Sequence, residues 1–244
     1  MMTAVVDRIE IAYRALRQAI IEQALLPGTK LPEDELGRHF GMSRTLVRTV
    51  LTRLQSQGLV DTFHKRTATV AQPSLQDARE VFAVRRALER EAVRLVVGRW
   101  TASIDAALTD HVREEAEAVA QNNTRVSTRL AGEFHLRLAE YSGNAVLERY
   151  LGELVSRCSL ILAVYSRPHS AECAVNEHSA IIDALRQGDA AKVEALMESH
   201  LSLVESRALI ADGTGEPPAL AAVLGRYSPA AVTNLPASRL KRAG

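Results

Sequence analysis

The chain has 244 residues, 47% hydrophobic and 24% charged, with a formal net charge of +1, a balance that fits one large or two ordinary globular domains able to bury a core. No apolar run reaches the roughly 18 residues that span a bilayer. Charges recur through residues 1–20, which therefore lack the unbroken apolar stretch of a secretory signal. Two cysteines, Cys158 and Cys173, are too few for a disulfide framework and read as free thiols, so the expected location is the cytoplasm. Aromatics make up only 4%, which predicts a core of Leu, Val, Ile and Ala packed between helices.

Residues 5–25 place Val5, Ile9, Ala12, Leu16, Ile20 and Leu25 at helical spacing with charges between them. "LPGTKLP" breaks that helix. "EDELGRHF" reads as a short second helix, its acids in the first turn where the macrodipole favours them. Gly41 closes it and Ser43 is a suitable N-cap for a third. That third helix, within "SRTLVRTVLTRLQSQG", puts Leu46, Val47, Val50, Leu51 and Leu54 on one side, and Gly58 is its stop signal. "LVDTFHKRTATVA" alternates β-branched and polar residues around a basic tip, the pattern of a two-stranded hairpin. Helix, helix, turn, helix and hairpin make a winged helix-turn-helix over residues 1–72.

Residues 73–76 form the expected linker. From 77 to 209 the periodicity predicts helices near 77–99, 102–121, 125–142, 144–167, 173–187 and 189–209, with breaks that include Gly143, Pro168 and Gly188. The fold class is thus mainly α, a winged helix-turn-helix followed by an all-helical bundle. Residues 210–244, rich in Gly, Pro and Ala, read as a disordered tail.

The small net charge hides an uneven distribution. Residues 1–72 hold 10 Lys and Arg against 7 Asp and Glu, a balance of +3, leaving −2 for the rest. Helix-turn-helix proteins lay the second helix of the motif in the major groove, with its N-terminal residues at base edges. Arg44 and Arg48 are four residues apart, roughly 40° from eclipsed at ~100° per residue, so both face away from the core. Arginine bonds guanine bidentately or clamps phosphate. Ser43 and Thr45 suit phosphate contacts at a helix N-terminus. Lys65 and Arg66 sit on the wing, and Arg38 and Arg53 complete the expected set of contacts to double-stranded operator DNA.

"PGTKLPEDELGRHFGMSRTLVRTVLTRLQSQGLV" resembles the DNA-binding domain of GntR-family bacterial regulators, whose signature is similar to P-G-x-x-L-x-E-x-x-L-A followed by V-S-R-T-P-V-R-E-A-L. Leu46 stands where that signature has proline, and Thr67 where the wing usually has glycine. "EVFAVRRALEREAV", "GEFHLRLAEYSGN" and "NEHSAIIDALRQGDAAKVEALMESHL" resemble the helical FCD effector domain of the FadR subfamily. The resemblance implies a homodimer that binds paired half-sites and responds to a small carboxylate. It also implies a divalent metal, with zinc the expected ion, held by His135, His178 and His200. The family's aspartate ligand would lie four residues before His135, and that position is Ala131. Cys173, five residues before His178, is a weaker candidate for a soft ligand. Arg85 matches an arginine that points into the effector cavity, against the plainer reading of an i,i+4 pair with Glu89. Asn144 is a further effector candidate, against the plainer reading of a helix start. His111 and His169 read as structural histidines. Two alternatives to a metal-dependent, carboxylate-responsive regulator are a hydrolytic enzyme using the three-histidine site and a metal-free regulator of acyl-CoA type.

Overall fold

The structure is a computed structural model that describes residues 2–62, 67–165, 172–208 and 219–228. Its chain divides into two compact units, residues 1–71 with 215–244, and residues 72–214.

The first unit opens with α1 (Met2–Ile21), which buries Ala12, Ala15, Leu16, Ala19 and Ile20 on one face. Strand β1 (Lys30–Leu31) follows, then α2 (Glu33–Phe40) and α3 (Arg44–Ser56). Gly41 ends α2 in the left-handed region at φ 62°, where a side chain is strained, and its N–H bonds the Gly37 carbonyl. The turn is tight: a Cβ on Gly37 would lie 2.8 Å from the Met42 carbonyl oxygen. Ser43 caps α3 by accepting from the Leu46 N–H. Val47, Val50, Leu51 and Leu54 are buried as their spacing predicts, while Leu46 is half-buried.

Strands β2 (Val60–Asp61) and β3 (Ala68–Val70) form the antiparallel hairpin. The sheet is one strand larger than the hairpin expected. β1 pairs antiparallel with the other edge of β3, Lys30 opposite Thr69 and Leu31 opposite Ala68, giving the order β1-β3-β2. The segment "LPGTKLP", expected only to break a helix, supplies this strand because the open edge of β3 offers backbone partners. The Val70 N–H donates to Thr29 and the Gly28 N–H to Val70.

The C-terminal segment also departs from expectation. Residues 220–227 of the supposedly disordered tail form α10 (Leu220–Tyr227), which buries Leu220, Val223 and Leu224. It packs on α1 and α2, with Tyr227 Oη donating to Glu22 at 2.6 Å and His39 Nε2 bonded to Ser228 Oγ at 2.9 Å. Small apolar residues at helical spacing, "LAAVL", gave it a face to bury once a groove was present.

The second unit contains α4 (Leu75–Val97), α5 (Ala102–Ala120), α6 (Thr124–Tyr141), α7 (Ala145–Tyr165), α8 (Glu172–Gln187) and α9 (Ala190–Ala208). Local chemistry marks the starts. Ser74 and Asp77 form a reciprocal capping box on α4, Thr101 caps α5 and Asn123 caps α6. α4 packs on α6, α7 and α9, α5 on α6 and α8, and α8 on α9. The core includes Val93, Val96, Leu108, Phe134, Leu138, Ile181, Leu185, Val193, Met197 and Leu201. Pro168 and His169 lie outside the described residues, as do Lys65 and Arg66; Cys173 lies in α8, but its side chain is likewise undescribed.

Candidate functional site

In the helical unit, three imidazoles come from three helices: His135 from α6, His178 from α8 and His200 from α9. All three are buried, and one ligand nitrogen from each lies within 4.8 Å of the others. Each ring is held from behind by a different carboxylate. His135 Nδ1 meets Glu89 Oε2 of α4 at 2.5 Å, His178 Nδ1 meets Glu115 Oε2 of α5 at 2.9 Å, and His200 Nδ1 meets Glu177 Oε2 of α8 at 2.6 Å. In its ionised form a carboxylate only accepts, so an imidazole braced through Nδ1 carries its proton there and turns the Nε2 lone pair inward.

His135 Nε2 and His200 Nε2 stand 3.2 Å apart, and among the described residues His178 Nε2 is buried without a hydrogen-bond partner. Converging lone pairs repel one another and suit an electrophile. Two nitrogens each ~2.05 Å from a tetrahedral zinc ion sit ~3.3 Å apart, close to the His135–His200 separation. Phe134 stacks on His178 at 4.1 Å between centroids, fixing that ring. Burial, helped by the Arg85 charge beside His135, holds the imidazoles below their usual range, with His178 pushed down to about 3. The shift favours the neutral imidazole, the state that ligates metal. Burial also pushes Glu115 up to about 7. The donor set fits a divalent ion with three protein ligands and an open position, and the carboxylate–histidine arrangement is the one that orients metal ligands and fixes their tautomer.

Ala131, in place of the family's aspartate, offers no ligand atom. Glu133 pairs with Arg129 at 2.8 Å. Arg85 realises the ion pair with Glu89, but in a form the helix spacing does not reveal. It is 4% exposed, donates from Nε to Glu89 Oε1 at 2.5 Å, and also contacts Cys158. Glu89 thus joins Arg85 to His135 through its two oxygens. Asn144 is exposed and caps α7, its Oδ1 accepting from the N–H groups of Val146 and Leu147, so its side chain is spent on the helix start. His111 is structural: Arg137 Nε donates to its Nδ1 at 3.0 Å, and its Nε2 donates to the Leu130 carbonyl at 2.8 Å.

Glu89, Glu115 and Glu177 are the functional residues that sequence reasoning missed. One signal was present. Arg85 and Glu89 interrupt the buried stripe Ala78, Val81, Phe82, Ala92, Val93, Val96 on α4, and Glu115 falls between Val112 and Ala118 on α5. A charge on a buried stripe calls for a partner.

On the first unit, Arg44 and Arg48 point to solvent from α3, as predicted. Each is paired within the protein, Arg44 with Asp34 and Arg48 with Glu33. Thr45 is exposed, and Arg38 is exposed in the last turn of α2. Ser43 Oγ serves the helix cap. Arg53, expected as a DNA contact, is exposed and likewise paired within the protein. Its Nη1 bonds Glu10 Oε2 at 2.6 Å and its guanidinium lies 3.4 Å over the Tyr13 ring, so it fastens α3 to α1.

A winged helix-turn-helix and a helical domain with a buried histidine cluster are the make-up of a DNA-binding transcription regulator. Comparison with known proteins agrees. Residues 8–70 match the gntR family of bacterial regulatory proteins, and residues 80–203 match the FCD domain. The HTH-type transcriptional regulator YdhC of Bacillus subtilis is 27% identical over 180 residues, covering 72% of this chain and 79% of that protein. The HTH-type transcriptional repressor RspR of Escherichia coli is 25% identical over 190 residues, covering 78% and 83%. The transcriptional regulator GntR from Rhodococcus sp. RHA1 shares the fold with a TM-score of 0.73 at 22% identity, over 83% of this chain and 97% of that one. The chain belongs to the GntR family of bacterial regulators, with an FCD domain as its second half. It is a regulator and not an enzyme, which removes the hydrolytic alternative.

Proposed function

We propose that this regulator binds paired operator half-sites as a cytoplasmic homodimer, and that a divalent metal in the helical domain, zinc, forms part of its sensor for a small carboxylate. The observation that carries the sensory reading is the histidine cluster: three buried Nε2 atoms turned to one point, each ring braced by its own glutamate. His135, His178 and His200 would hold the ion, which when bound supplies Lewis acidity toward an oxygen ligand. Ala131 leaves the shell without an anionic protein ligand. A carboxylate effector supplies that charge, and binding of metal and effector is thereby coupled. The dimer follows from the reading head: a single winged helix makes few contacts, and paired half-sites require two-fold symmetry.

Metal analysis of gently purified protein should find near one equivalent per chain, lost in His178→Ala. Ala131→Asp should tighten metal binding and lessen its dependence on added carboxylate. A wild type that takes up no divalent metal when it is supplied refutes the metal reading and favours the metal-free acyl-CoA alternative.

A further inference from the structure

Arg44 is the first residue of α3, where the helix N-terminus already carries partial positive charge. A cation there is misplaced unless it meets an anion. Asp34, the second residue of α2, provides one. Arg44 Nε donates to Asp34 Oδ1 at 2.5 Å and Nη2 to Oδ2 at 2.8 Å, a bidentate fork between two exposed side chains. Isolated exposed pairs contribute little to stability, but bidentate geometry is the case in which one orients its arginine.

Which edge is occupied matters. A guanidinium presents a side edge, made of Nε and one Nη, and an end edge made of both Nη groups. Asp34 takes the side edge. Among the described residues the end edge has no partner, and its two parallel N–H groups match the O6 and N7 acceptors of guanine. One turn along, the arrangement recurs: Arg48 Nε donates to Glu33 Oε1 at 2.7 Å, again leaving the Nη groups. Two adjacent acids at the start of α2 therefore hold two arginines of α3 from behind and offset their mutual repulsion.

We infer that Asp34 is a specificity-determining positioning residue, holding the Arg44 guanidinium by its side edge so that the end edge meets a guanine. The inference rests on the reading of α3 as the DNA-contacting helix. Positioning by an acid carries an opposing effect, because a carboxylate near the duplex weakens attraction to phosphate on every sequence. Asp34 thus lowers general affinity while sharpening base choice, and its removal should move the two in opposite directions.

The test uses full-length wild type, Asp34→Ala and Asp34→Glu, each selecting from a randomised duplex library at fixed salt. Kd is then measured for the wild-type-selected duplex and for a scrambled duplex of equal composition. In Asp34→Ala the ratio of the two affinities should fall about tenfold, with guanine preference lost at one position of each half-site. The scrambled duplex should bind as well as before or up to about threefold tighter. Asp34→Glu, which keeps the carboxylate, should recover most of the preference. Unchanged base preference in Asp34→Ala, with both Kd values moving together, overturns the role of Asp34 alone. A wild type that enriches no sequence overturns the DNA-contacting reading of α3 itself.

Discussion

Glu115 illustrates how much of the site depends on groups that touch no ligand. Its carboxylate bonds the Nδ1 of His178, and both residues are essentially excluded from solvent. Replacement by Gln preserves size and an acceptor oxygen but abolishes the ionised form, which makes the imidazole a better donor to metal. Such changes weaken metal binding by about 10- to 100-fold. Glu115→Gln should therefore lose zinc to a competing chelator at correspondingly lower chelator concentration, with the helical content unchanged by circular dichroism. Affinity equal to wild type would mean that His178 needs no brace. On the other unit, Arg48 is exposed and, among the described residues, paired with Glu33, so its loss should spare the fold. If it reads a base, Arg48→Ala raises Kd for selected DNA about tenfold to a hundredfold. A gel-shift titration at fixed salt that shows no change contradicts that role.

Helix α10 lies outside both family matches, which end at residue 70 in one domain and 203 in the other. It is nonetheless built into the DNA-binding unit through Leu220, Val223 and Leu224, with Leu224 at 0% exposure. Truncating such a leucine to alanine costs roughly 2–4 kcal/mol through lost burial and the cavity left behind. Leu224→Ala should lower the urea midpoint of the transition that unfolds the DNA-binding unit. A midpoint within error of wild type would show that α10 adds nothing to that unit. The same helix explains why composition misled: Gly and Pro in residues 211–218 argue against structure locally, whereas eight residues suffice for a helix when a groove on α1 and α2 covers its apolar face.

Assembly is the prediction that belongs to the whole chain. Light scattering at micromolar concentration should give about twice the 26.6 kDa chain mass, since two reading heads are needed for paired half-sites. A stable monomer with and without DNA refutes the dimer.

Local chemistry was enough to place most of the elements. Ser43, Ser74, Thr101 and Asn123 are capping residues, Gly41, Gly143 and Gly188 adopt positive φ at helix ends, and the apolar spacing between them has one period. These are signals carried by neighbours within a few residues, so the helix boundaries of the bundle could be read to within about two residues. The outward direction of Arg44 and Arg48 was legible for the same reason, because a helical face follows from spacing alone. What the histidines do is another matter: the motif resemblance grouped His135, His178 and His200, but their bracing by Glu89, Glu115 and Glu177 joins α4, α5, α6, α8 and α9. Glu177 adjoins His178 in the chain yet bonds His200, because its direction from the helix, and not its sequence distance, decides its partner. Nothing local could tell that Arg85 would be enclosed with Glu89, that Arg53 would lie over Tyr13, or that β1 would join β3. Those outcomes depend on which surfaces meet across tens or hundreds of residues, and buried charges and open strand edges find their partners only when the tertiary fold brings them together.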